Sequence, residues 1–551
     1  MLKKITAIFL ILSLTLCFWG CGKIDDQPPV KETESGTKPS TNPTEGNADT
    51  EDPENIRSLS RIELNYFYVD AINEYVNQYG AYLPYLGLDY STPLSQQIHN
   101  KDTGTSWADY FLDAGIETAK NIYALYDEAV KAGHKLSDEE QAAKQSLYDN
   151  MDIYAKHYGF DNTDDYLKSI YGKGANTNSY KAYYEVVLMA SSYYATYAEN
   201  LKNSYTDTIL REFEGSESYK YNSYSYYTYY LALDKCKFGG TQGADGKITY
   251  SDAELKAAEE YIEKVAKLLS NPEINTIDKL NAAIKHMEIQ LEYDKNVAEN
   301  GSENTPAPDF NDDDRNYSKA TEVTDKLYSG VSSLMQEWLR DSARQEGDIT
   351  SLKYTSTSTD SEGKKTKTLN GIYIVLFKGV NDNQFPLANV RHILVKFEGG
   401  TTDRFTGQTI YTQAEMDAAK NEATRIYDEW LNGERTEDSF AALAQKYTDD
   451  GNGDVGGIYY DIYPGQMVTT FNDWCFDKTR ETGDHGVVQT DYGWHVMFYS
   501  GDSDITYRNF RSSNDKLEID IDAWQNHLLD SYKLDVPDTT QVNMDYIIGE
   551  E

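Results

Sequence analysis

Two of the eight histidines lie in short apolar stretches that could hold an imidazole ring in a fixed orientation. His392 lies within residues 390–395 and His495 within residues 494–498, and Asp450 lies between them in the sequence. Imidazole and carboxylate groups serve in proton transfer or in hydrogen-bond networks that shape a pocket. A single histidine on a strand is more often packed than catalytic, so residue types alone leave both interpretations open.

The two histidine stretches are rich in β-branched and aromatic residues, which favours short β-strands. Because side chains alternate between the faces of a strand, His392 and Leu394 are predicted to share one face, opposite Ile393. By the same rule His495 lies on the same side as Met497. The preceding residues 487–490 are predicted to be the hairpin partner of 494–498.

Four motifs occur in a specific order and together resemble the parvulin-type peptidyl-prolyl isomerases, the PpiC-type rotamases. They lie over a stretch that starts near residue 390 and ends near residue 500. They are Arg391-His392-Ile393-Leu394-Val395, Lys446-Tyr447-Thr448-Asp449-Asp450, Gly465-Gln466-Met467-Val468 with Phe471, and Tyr492-Gly493-Trp494-His495-Val496.

The resemblance implies cis-trans isomerisation of X-Pro peptide bonds without a cofactor. It implies that Thr490 is the hydrogen-bonded polar residue between the two central histidines, and that a proline pocket receives the substrate. The residues that it implies are His392, Asp450, Thr490 and His495 for catalysis, and Val455, Met467 and Phe471 for substrate binding.

The reaction needs no covalent bond to the substrate, since the barrier of about 18 to 20 kcal/mol comes from amide resonance. An apolar pocket from Met467 and Phe471 would hold the pyrrolidine ring and favour the twisted, less polar amide. The histidines and Asp450 are expected to orient that pocket by hydrogen bonds. They are not expected to act as nucleophile and base.

A calcium loop is an alternative interpretation of one acidic segment. Asp450, Asn452, Asp454 and Asp461 stand at its first, third, fifth and twelfth positions. However, Val455 replaces the glycine that such a loop has at its sixth position, and no helix clearly precedes it. The sequence therefore disfavours calcium, and no metal is expected.

The middle of the chain repeats the isomerase-like segment. Lys237-Phe238-Gly239-Gly240 recurs as Lys396-Phe397-Glu398-Gly399-Gly400, and further blocks follow in the same order, which indicates two tandem copies of one α/β fold. Residues 231–236, taken as the counterpart of 390–395, contain no histidine, and Tyr373 stands at the place of His495. Val331 and Met335 align with Met467 and Phe471. The first copy is therefore expected to be catalytically silent, with an apolar groove.

The predicted fold class is α+β and multidomain, with a helical N-terminal part, two tandem parvulin-like α/β domains and a C-terminal helix. Helix start signals support the helical part: Ser106 with Asp109 and Ser137 with Glu140 fit capping boxes, and Gly133 fits a helix stop. A buried face is predicted for Phe111, Ala114, Thr118, Ile122, Leu125 and Ala129. The predicted ranges are a signal peptide (1–20), a lipidated cysteine and disordered tether (21–57), a helical chaperone-like domain (58–218), a degenerate parvulin-like domain (219–382), an isomerase domain (388–502) and a C-terminal helix (512–535).

The first twenty residues combine Lys3 and Lys4 with an apolar run too short to span a bilayer comfortably, as in a signal peptide. Gly20-Cys21 resembles the lipobox of bacterial lipoproteins, which implies diacylation of Cys21; an uncleaved anchor is the alternative. The polar residues that follow cannot repay the entropy of ordering and are predicted to form a tether.

The formal net charge of −40 makes nucleic acid an unsuitable partner. The 47 tyrosines suit either adaptable binding surfaces or helix packing. The order of parts resembles the extracytoplasmic foldases of PrsA and SurA type. This resemblance implies unfolded or newly secreted X-Pro-containing polypeptides as partners and an extracytoplasmic location, lipid-anchored to the outer face of the cell membrane of a Gram-positive cell. One alternative is a non-catalytic holdase. Another is a surface solute-binding protein, but that function would not explain the isomerase motifs.

Overall fold

The computed structural model describes residues 56–311, 315–359, 363–404 and 406–539, together with 542, 544 and 546–548. The predicted signal peptide (1–20), Cys21 and the tether up to residue 55 lie outside these residues. The tether was predicted to extend to residue 57, which is too far, because Arg57–Ser58 forms the first strand and pairs in parallel with Leu534–Asp535.

Thirteen α-helices lie in the described part of the chain. They are α1 (Arg61–Tyr79), α2 (Trp107–Lys131), α3 (Asp138–His157), α4 (Thr163–Tyr171), α5 (Thr177–Asn203), α6 (Asp207–Glu214), α7 (Asp252–Leu269), α8 (Ile277–Asn300), α9 (Ser333–Leu339), α10 (Gln413–Leu431), α11 (Glu437–Tyr447), α12 (Thr469–Cys475) and α13 (Tyr507–Ser531).

The strands alternate with these helices and include two longer sets in the second half of the chain. They are β1 (Arg57–Ser58), β2 (Ile98–Asn100), β3 (Thr105–Ser106), β4 (Ser223–Ala232), β5 (Thr241–Gln242), β6 (Ile248–Thr249), β7 (Thr321–Leu327), β8 (Ile349–Thr359), β9 (Lys365–Asn381), β10 (Pro386–Lys396), β11 (Thr401–Thr402), β12 (Thr409–Ile410), β13 (Ile458–Ile462), β14 (His485–Gln489), β15 (Gly493–Thr506) and β16 (Leu534–Asp535). This mixture confirms the predicted α+β class.

The chain divides into two compact units: residues 1–206 with 514–551, and residues 207–513. Residues 207–218, which were predicted to belong to the helical domain, group with the second unit. The predicted C-terminal helix over 512–535 is observed as α13, Tyr507–Ser531, which begins and ends earlier. None of the described helices has the length and apolar character needed to cross a membrane.

The first unit is helical, and its caps form as predicted. Ser106 and Asp109 make a reciprocal capping box at α2, and Ser137 and Glu140 make one at α3. The predicted buried face of α2 is only partly right: Phe111, Leu125 and Ala129 are buried, but Ala114, Thr118 and Ile122 are only partly covered. Burial instead centres on a neighbouring row, Gly115, Ala119 and Tyr123.

Close approach of α1 explains this shift of the buried face. A Cβ atom added at Gly115 would lie 3.0 Å from the backbone nitrogen of Tyr68 and 3.1 Å from the carbonyl of Phe67. Because Gly115 has no side chain, the backbones of α1 and α2 can come into direct contact. Tyr66, Tyr68 and Tyr123 are fully buried, so many tyrosines pack the core of this unit.

The second unit contains two four-stranded sheets with the same plan. The first has the order β7-β4-β9-β8 and the second has the order β13-β10-β15-β14, and all pairs are antiparallel. Helices α7 and α8 cover one face of the first sheet and α9 covers the other. Helices α10 and α11 cover one face of the second sheet and α12 covers the other. We call these the first and second modules.

The registers of the two sheets correct one detail of the predicted repeat. Ala232 pairs with Gly371 in the first module, as Lys396 pairs with Gly493 in the second. The counterpart of residues 390–395 is therefore 226–231, not 231–236. A short 3-10 turn, Leu233–Cys236, follows β4 and shifts the alignment with the Lys237-Phe238 block.

With this register, position-by-position counterparts follow for the residues that point away from α7 and α8. Thr228 pairs with Val375, as His392 pairs with Met497, and Leu352 pairs with Tyr373, as Val488 pairs with His495. The counterparts are Thr228 for His392, Tyr230 for Leu394, Tyr354 for Thr490 and Tyr373 for His495.

Candidate active site

The two histidines meet on the α12 face of the second sheet. His392 comes from β10 and His495 from the neighbouring strand β15, where Leu394 pairs with His495 and His392 with Met497. Their side chains share the predicted face, while Ile393 and Val496 pack under α10 and α11 on the other. Both histidines are buried, and their Nδ1 atoms are 3.0 Å apart.

Each histidine has a further partner at its outer nitrogen. The Nε2 atom of His392 lies 2.8 Å from Oδ2 of Asp450, and the Nε2 atom of His495 lies 2.9 Å from Oγ1 of Thr490. The four side chains form one hydrogen-bonded row in the order Asp450, His392, His495, Thr490. Thr490 lies at the end of this row, since the two imidazoles contact each other directly.

Asp450 is held by the loop that follows α11. Thr448 Oγ1 accepts hydrogen bonds from the backbone N–H of Asp450 at 3.2 Å and from that of Leu394 at 3.1 Å, which attaches the loop to β10. The backbone N–H of Gly451 donates to Asp450 Oδ1 at 2.9 Å. The carboxylate is therefore fixed at both oxygens before any substrate is present.

Gly457, just before β13, allows the chain to approach β10 closely. Its carbonyl accepts the backbone N–H of His392 at 2.9 Å, and a Cβ atom added there would lie 2.3 Å from the carbonyl oxygen of His392. The backbone has a φ of 71°, in the left-handed region that favours glycine. A side chain at this position would displace His392 from the row.

The charge states of the row follow from burial and hydrogen bonding. Burial, with the neighbouring His392, lowers the pKa of His495 to about 3, so this ring is neutral near neutral pH. The hydrogen bond from His392, followed by that from Tyr459, holds the pKa of Asp450 well below its usual range. Asp450 is thus an acceptor only, and the Nε2 atom of His392 carries a proton.

The proton positions along the row are then constrained. In the neutral form of His392, Nδ1 is an acceptor, so His495 donates from its Nδ1 atom and accepts at Nε2 from the Thr490 hydroxyl. The Thr490 oxygen can still accept the backbone N–H of Tyr492, at 3.1 Å. Every polar atom of the row has a partner, and none is positioned as a free nucleophile.

Phe471 from α12 lies across both imidazoles. Its ring centroid is 5.4 Å from that of His392 and 5.4 Å from that of His495, edge to face in both cases. Met467 packs against the same apolar cluster, partly exposed. The two pocket residues are therefore brought together with the histidines.

Val455 is not brought to this site. It ends a 3-10 turn, Gly453–Val455, and 58% of it is exposed, outside the buried apolar clusters of the described residues. Its carbonyl accepts from Arg391 at 3.2 Å. A contact between Val455 and substrate stays a prediction.

Sequence reasoning missed Tyr459 on β13. Its hydroxyl donates to Oδ2 of Asp450 at 2.7 Å, and its ring stacks on His392 with centroids 5.3 Å apart. Burial and the nearby Asp450 carboxylate raise its pKa to about 12, so it stays a donor. The sequence held one signal for this residue. On the strand that follows Gly456-Gly457, side chains alternate between the two faces, so either Tyr459 or Tyr460 had to face the histidines.

The acidic segment does not converge on a cation position. Asp450 serves His392 and Tyr459, whereas Asp461 accepts from the hydroxyl of Ser503. In the described part of the chain, no three His, Cys, Asp or Glu side chains are grouped as metal ligands would be.

Residues 374–499 match the protein family described as "PPIC-type PPIASE domain". The match begins in β9, upstream of the predicted start at 388, and ends in β15. The chain thus contains a peptidyl-prolyl cis-trans isomerase domain of the parvulin type. No curated protein matches the sequence of the chain.

Solved structures with similarity to this chain include two bacterial proteins and one from a yeast. The peptidylprolyl isomerase PrsA from Bacillus cereus is 22% identical, with a TM-score of 0.17, over 30% of this chain and 56% of its own. PrsA from Bacillus subtilis is 20% identical, with a TM-score of 0.18, over 28% and 54%. The peptidyl-prolyl isomerase ESS1 from Candida albicans is 20% identical, with a TM-score of 0.16, over 21% and 63%. This chain thus spans little more than half the length of the PrsA structures that it matches.

Proposed function

We propose that the chain is a lipid-anchored foldase outside the cell that isomerises X-Pro bonds in secreted polypeptides, with the second module as its catalytic part. The observation that supports the proposal most is the hydrogen-bonded row of Asp450, His392, His495 and Thr490 beneath Phe471. These four are the proposed catalytic residues, and Met467 and Phe471 are the proposed proline pocket.

The pocket lowers the rotation barrier through its environment. Phe471 and Met467 offer the substrate pyrrolidine ring an apolar surface, and binding there removes water from the amide. The planar amide is more polar than the twisted one because resonance separates charge, so a dry pocket destabilises the planar form relative to the transition state. No covalent intermediate is required.

The hydrogen-bonded row keeps the pocket in place. Both imidazoles lie nearly perpendicular to the Phe471 ring, and each imidazole is fixed at both nitrogens. A neutral His495 and an ionised Asp450 allow this arrangement near neutral pH. Loss of one member leaves a buried polar atom without a partner, which costs about 1 to 3 kcal/mol, so the pocket would rearrange.

The test is exchange spectroscopy by NMR on an Ala-Pro peptide with the full-length protein. Wild type is expected to accelerate cis-trans exchange, and His392→Ala is expected to lower kcat/KM by about tenfold or more, a loss of at least 1.4 kcal/mol of transition-state stabilisation. His527→Ala, which removes an exposed histidine of α13, is the matched control and should leave the rate unchanged. An unaltered exchange rate on addition of wild type would sink the proposal.

A holdase function is the second candidate, and exposed tyrosines of the helical unit favour it. Tyr82 and Tyr85 lie largely exposed in the 3-10 segment Gly80–Leu86. Suppression of aggregation of an unfolding client is expected to persist in His392→Ala while isomerase activity is lost. If that variant loses both activities together, chaperone action depends on the catalytic module.

A further inference from the structure

The first module carries three tyrosines where the second module carries two members of its catalytic row and one leucine beside them. They lie on the α9 face of the first sheet, at positions fixed by the strand registers. We call Tyr230, Tyr354 and Tyr373 the tyrosine site; they are the counterparts of Leu394, Thr490 and His495.

The three rings contact one another. The centroids of Tyr230 and Tyr373 are 4.7 Å apart, those of Tyr354 and Tyr373 are 6.0 Å apart, and those of Tyr230 and Tyr354 are 6.1 Å apart. The hydroxyl of Tyr230 donates to the carbonyl of Asn370 at 3.0 Å. Aromatic contacts and this hydrogen bond hold the rings as one surface without a charged group.

This surface is open, whereas the corresponding part of the second module is closed. Tyr230 is 37% exposed and Tyr354 is 44% exposed, but their counterparts Leu394 and Thr490 are 5% and 7% exposed. Large aromatic side chains exposed side by side retain contact area for a partner.

The floor beside the rings keeps the apolar character of the proline pocket. Val331 and Met335, which align with Met467 and Phe471, are buried with Val375, and Tyr373 packs against the same cluster. Thr228, at the place of His392, has a buried hydroxyl with no hydrogen-bond partner among the described residues.

We propose that the tyrosine site binds X-Pro segments of client chains and does not isomerise them. Proline is the occupant that fits, since Tyr373 packs against Val331 and Met335, the counterparts of the proline pocket, and aromatic-lined surfaces bind proline-containing segments in their extended conformation. The imidazoles and the carboxylate of the second module have no counterparts here among Thr228, Tyr354 and Tyr373. A segment held at this site raises the effective concentration of neighbouring prolines at the second module of the same chain.

The proposal rests on the proposed proline pocket of the second module, so its test first disables that pocket. Fluorescence anisotropy would follow a fluorescein-labelled decapeptide with one central Ala-Pro, and its twin with alanine instead of proline, on full-length Phe471→Ala protein. The proline peptide is expected to bind about fivefold tighter than its twin, as one aromatic contact provides. Tyr354→Ser, added to Phe471→Ala, is expected to remove this difference.

The control is Tyr460→Ser in the same background, which removes an even more exposed tyrosine, on β13 of the second module, and should leave the difference in place. Equal binding of the two peptides to Phe471→Ala protein, or a preference that survives Tyr354→Ser, would overturn the proposal. If light scattering shows a dimer, and Tyr354→Ser dissociates that dimer, the surface serves self-association and the proposal is overturned. The isomerase assay on wild type is independent, so failure of either proposal is recognised separately.

Discussion

Asp450 accepts two hydrogen bonds at the same oxygen, one from His392 and one from Tyr459. Tyr459→Phe removes the second donor and keeps the ring that stacks on His392. We expect Asp450 to orient His392 less tightly, and kcat/KM for an Ala-Pro peptide to fall by about three- to tenfold, since a hydrogen bond to a charged group contributes about 1.5 kcal/mol or less in this partly exposed setting. NMR exchange measurements would give the rate.

Tyr460→Phe is the matched control for this prediction, because Tyr460 is the next residue of β13 and its side chain is exposed. Its rate should equal that of wild type. A loss confined to binding, with KM raised and kcat unchanged, would contradict a role of Tyr459 in positioning the row.

The buried His495 makes stability depend on pH. The pKa of His495 is about 3 in the folded chain, against 6.5 for an unperturbed histidine, which represents the unfolded chain. Between these two pH values the unfolded chain binds more protons than the folded chain, so the free energy of unfolding falls as pH falls. We expect amides of β10 and β15 to lose about 2 kcal/mol of opening free energy between pH 7 and pH 5. Native-state hydrogen exchange, corrected for intrinsic rates, measures this.

His495→Gln supplies the comparison for the pH prediction. Glutamine does not titrate, so most of the loss between pH 7 and pH 5 should disappear in that variant. Asp450 adds no slope in this window, because its carboxylate ionises below its usual range and its contribution is lost only under more acidic conditions. An equal loss in both proteins would assign the pH dependence to other groups.

At the residue scale, the order of the motifs and the alternation of side chains along strands were enough to predict most of the site residues. His392, Asp450, Thr490, His495, Met467 and Phe471 were selected in sequence, and the structure brings these six together. Tyr459 and Thr448 were missed because their contacts depend on how β13 and the loop after α11 register on β10. Val455 was selected by motif alone, and no pattern in the sequence tells whether its side chain turns inward.

Among the elements, a buried arginine at the start of α13 holds this helix to residues 214–222 of the same unit. Arg508 donates to Glu214 from Nε at 2.9 Å, to Asn222 at 2.8 Å and to the carbonyl of Ser218 at 2.7 Å. Both members of the ion pair are buried. Arg508→Met would leave the Glu214 carboxylate buried without its partner, and we expect a loss of about 3 to 5 kcal/mol in the second unit.

Denaturant unfolding followed by hydrogen exchange in β4 and β10 would measure the loss at Arg508. Arg425→Met is the control, because Arg425 pairs with Glu422 and Glu429 on the exposed face of α10, where such pairs contribute about 0 to 1 kcal/mol. Adding Glu214→Met to Arg508→Met should recover part of the loss. No difference between Arg508→Met and Arg425→Met would contradict the argument.

Local signals at the element scale were predictable, and long-range registers were not. The capping boxes predicted at Ser106 and Ser137 both form, because each depends on residues three apart. The strand counterpart of 390–395 was misplaced, since the inserted turn after Ala232 resembles strand in composition. The buried face of α2 shifted because Gly115 admits α1, a contact between segments far apart in sequence.

For the whole molecule, the two proposals assign separate tasks to the two modules. The second module closes its polar row under Phe471, which suits a pocket that must exclude water. The first module replaces that row by open tyrosines, which suits retention of a chain. A client with several prolines could thus remain bound at one module while another of its X-Pro bonds rotates at the other.

The proposed membrane anchor can be tested at Cys21. The proposal of an anchor rests on the sequence around this cysteine, which lies outside the described residues. A diacylglyceryl group on the thiol carries two acyl chains and holds a protein firmly at a bilayer, whereas one chain binds only marginally. In cells that express the full chain, Cys21→Ser is expected to move the protein from the membrane to the soluble or secreted fraction and to abolish incorporation of labelled palmitate. Cys17→Ser is the matched control, since Cys17 lies in the leader that is expected to be removed. Membrane retention of Cys21→Ser without label would support the uncleaved anchor instead.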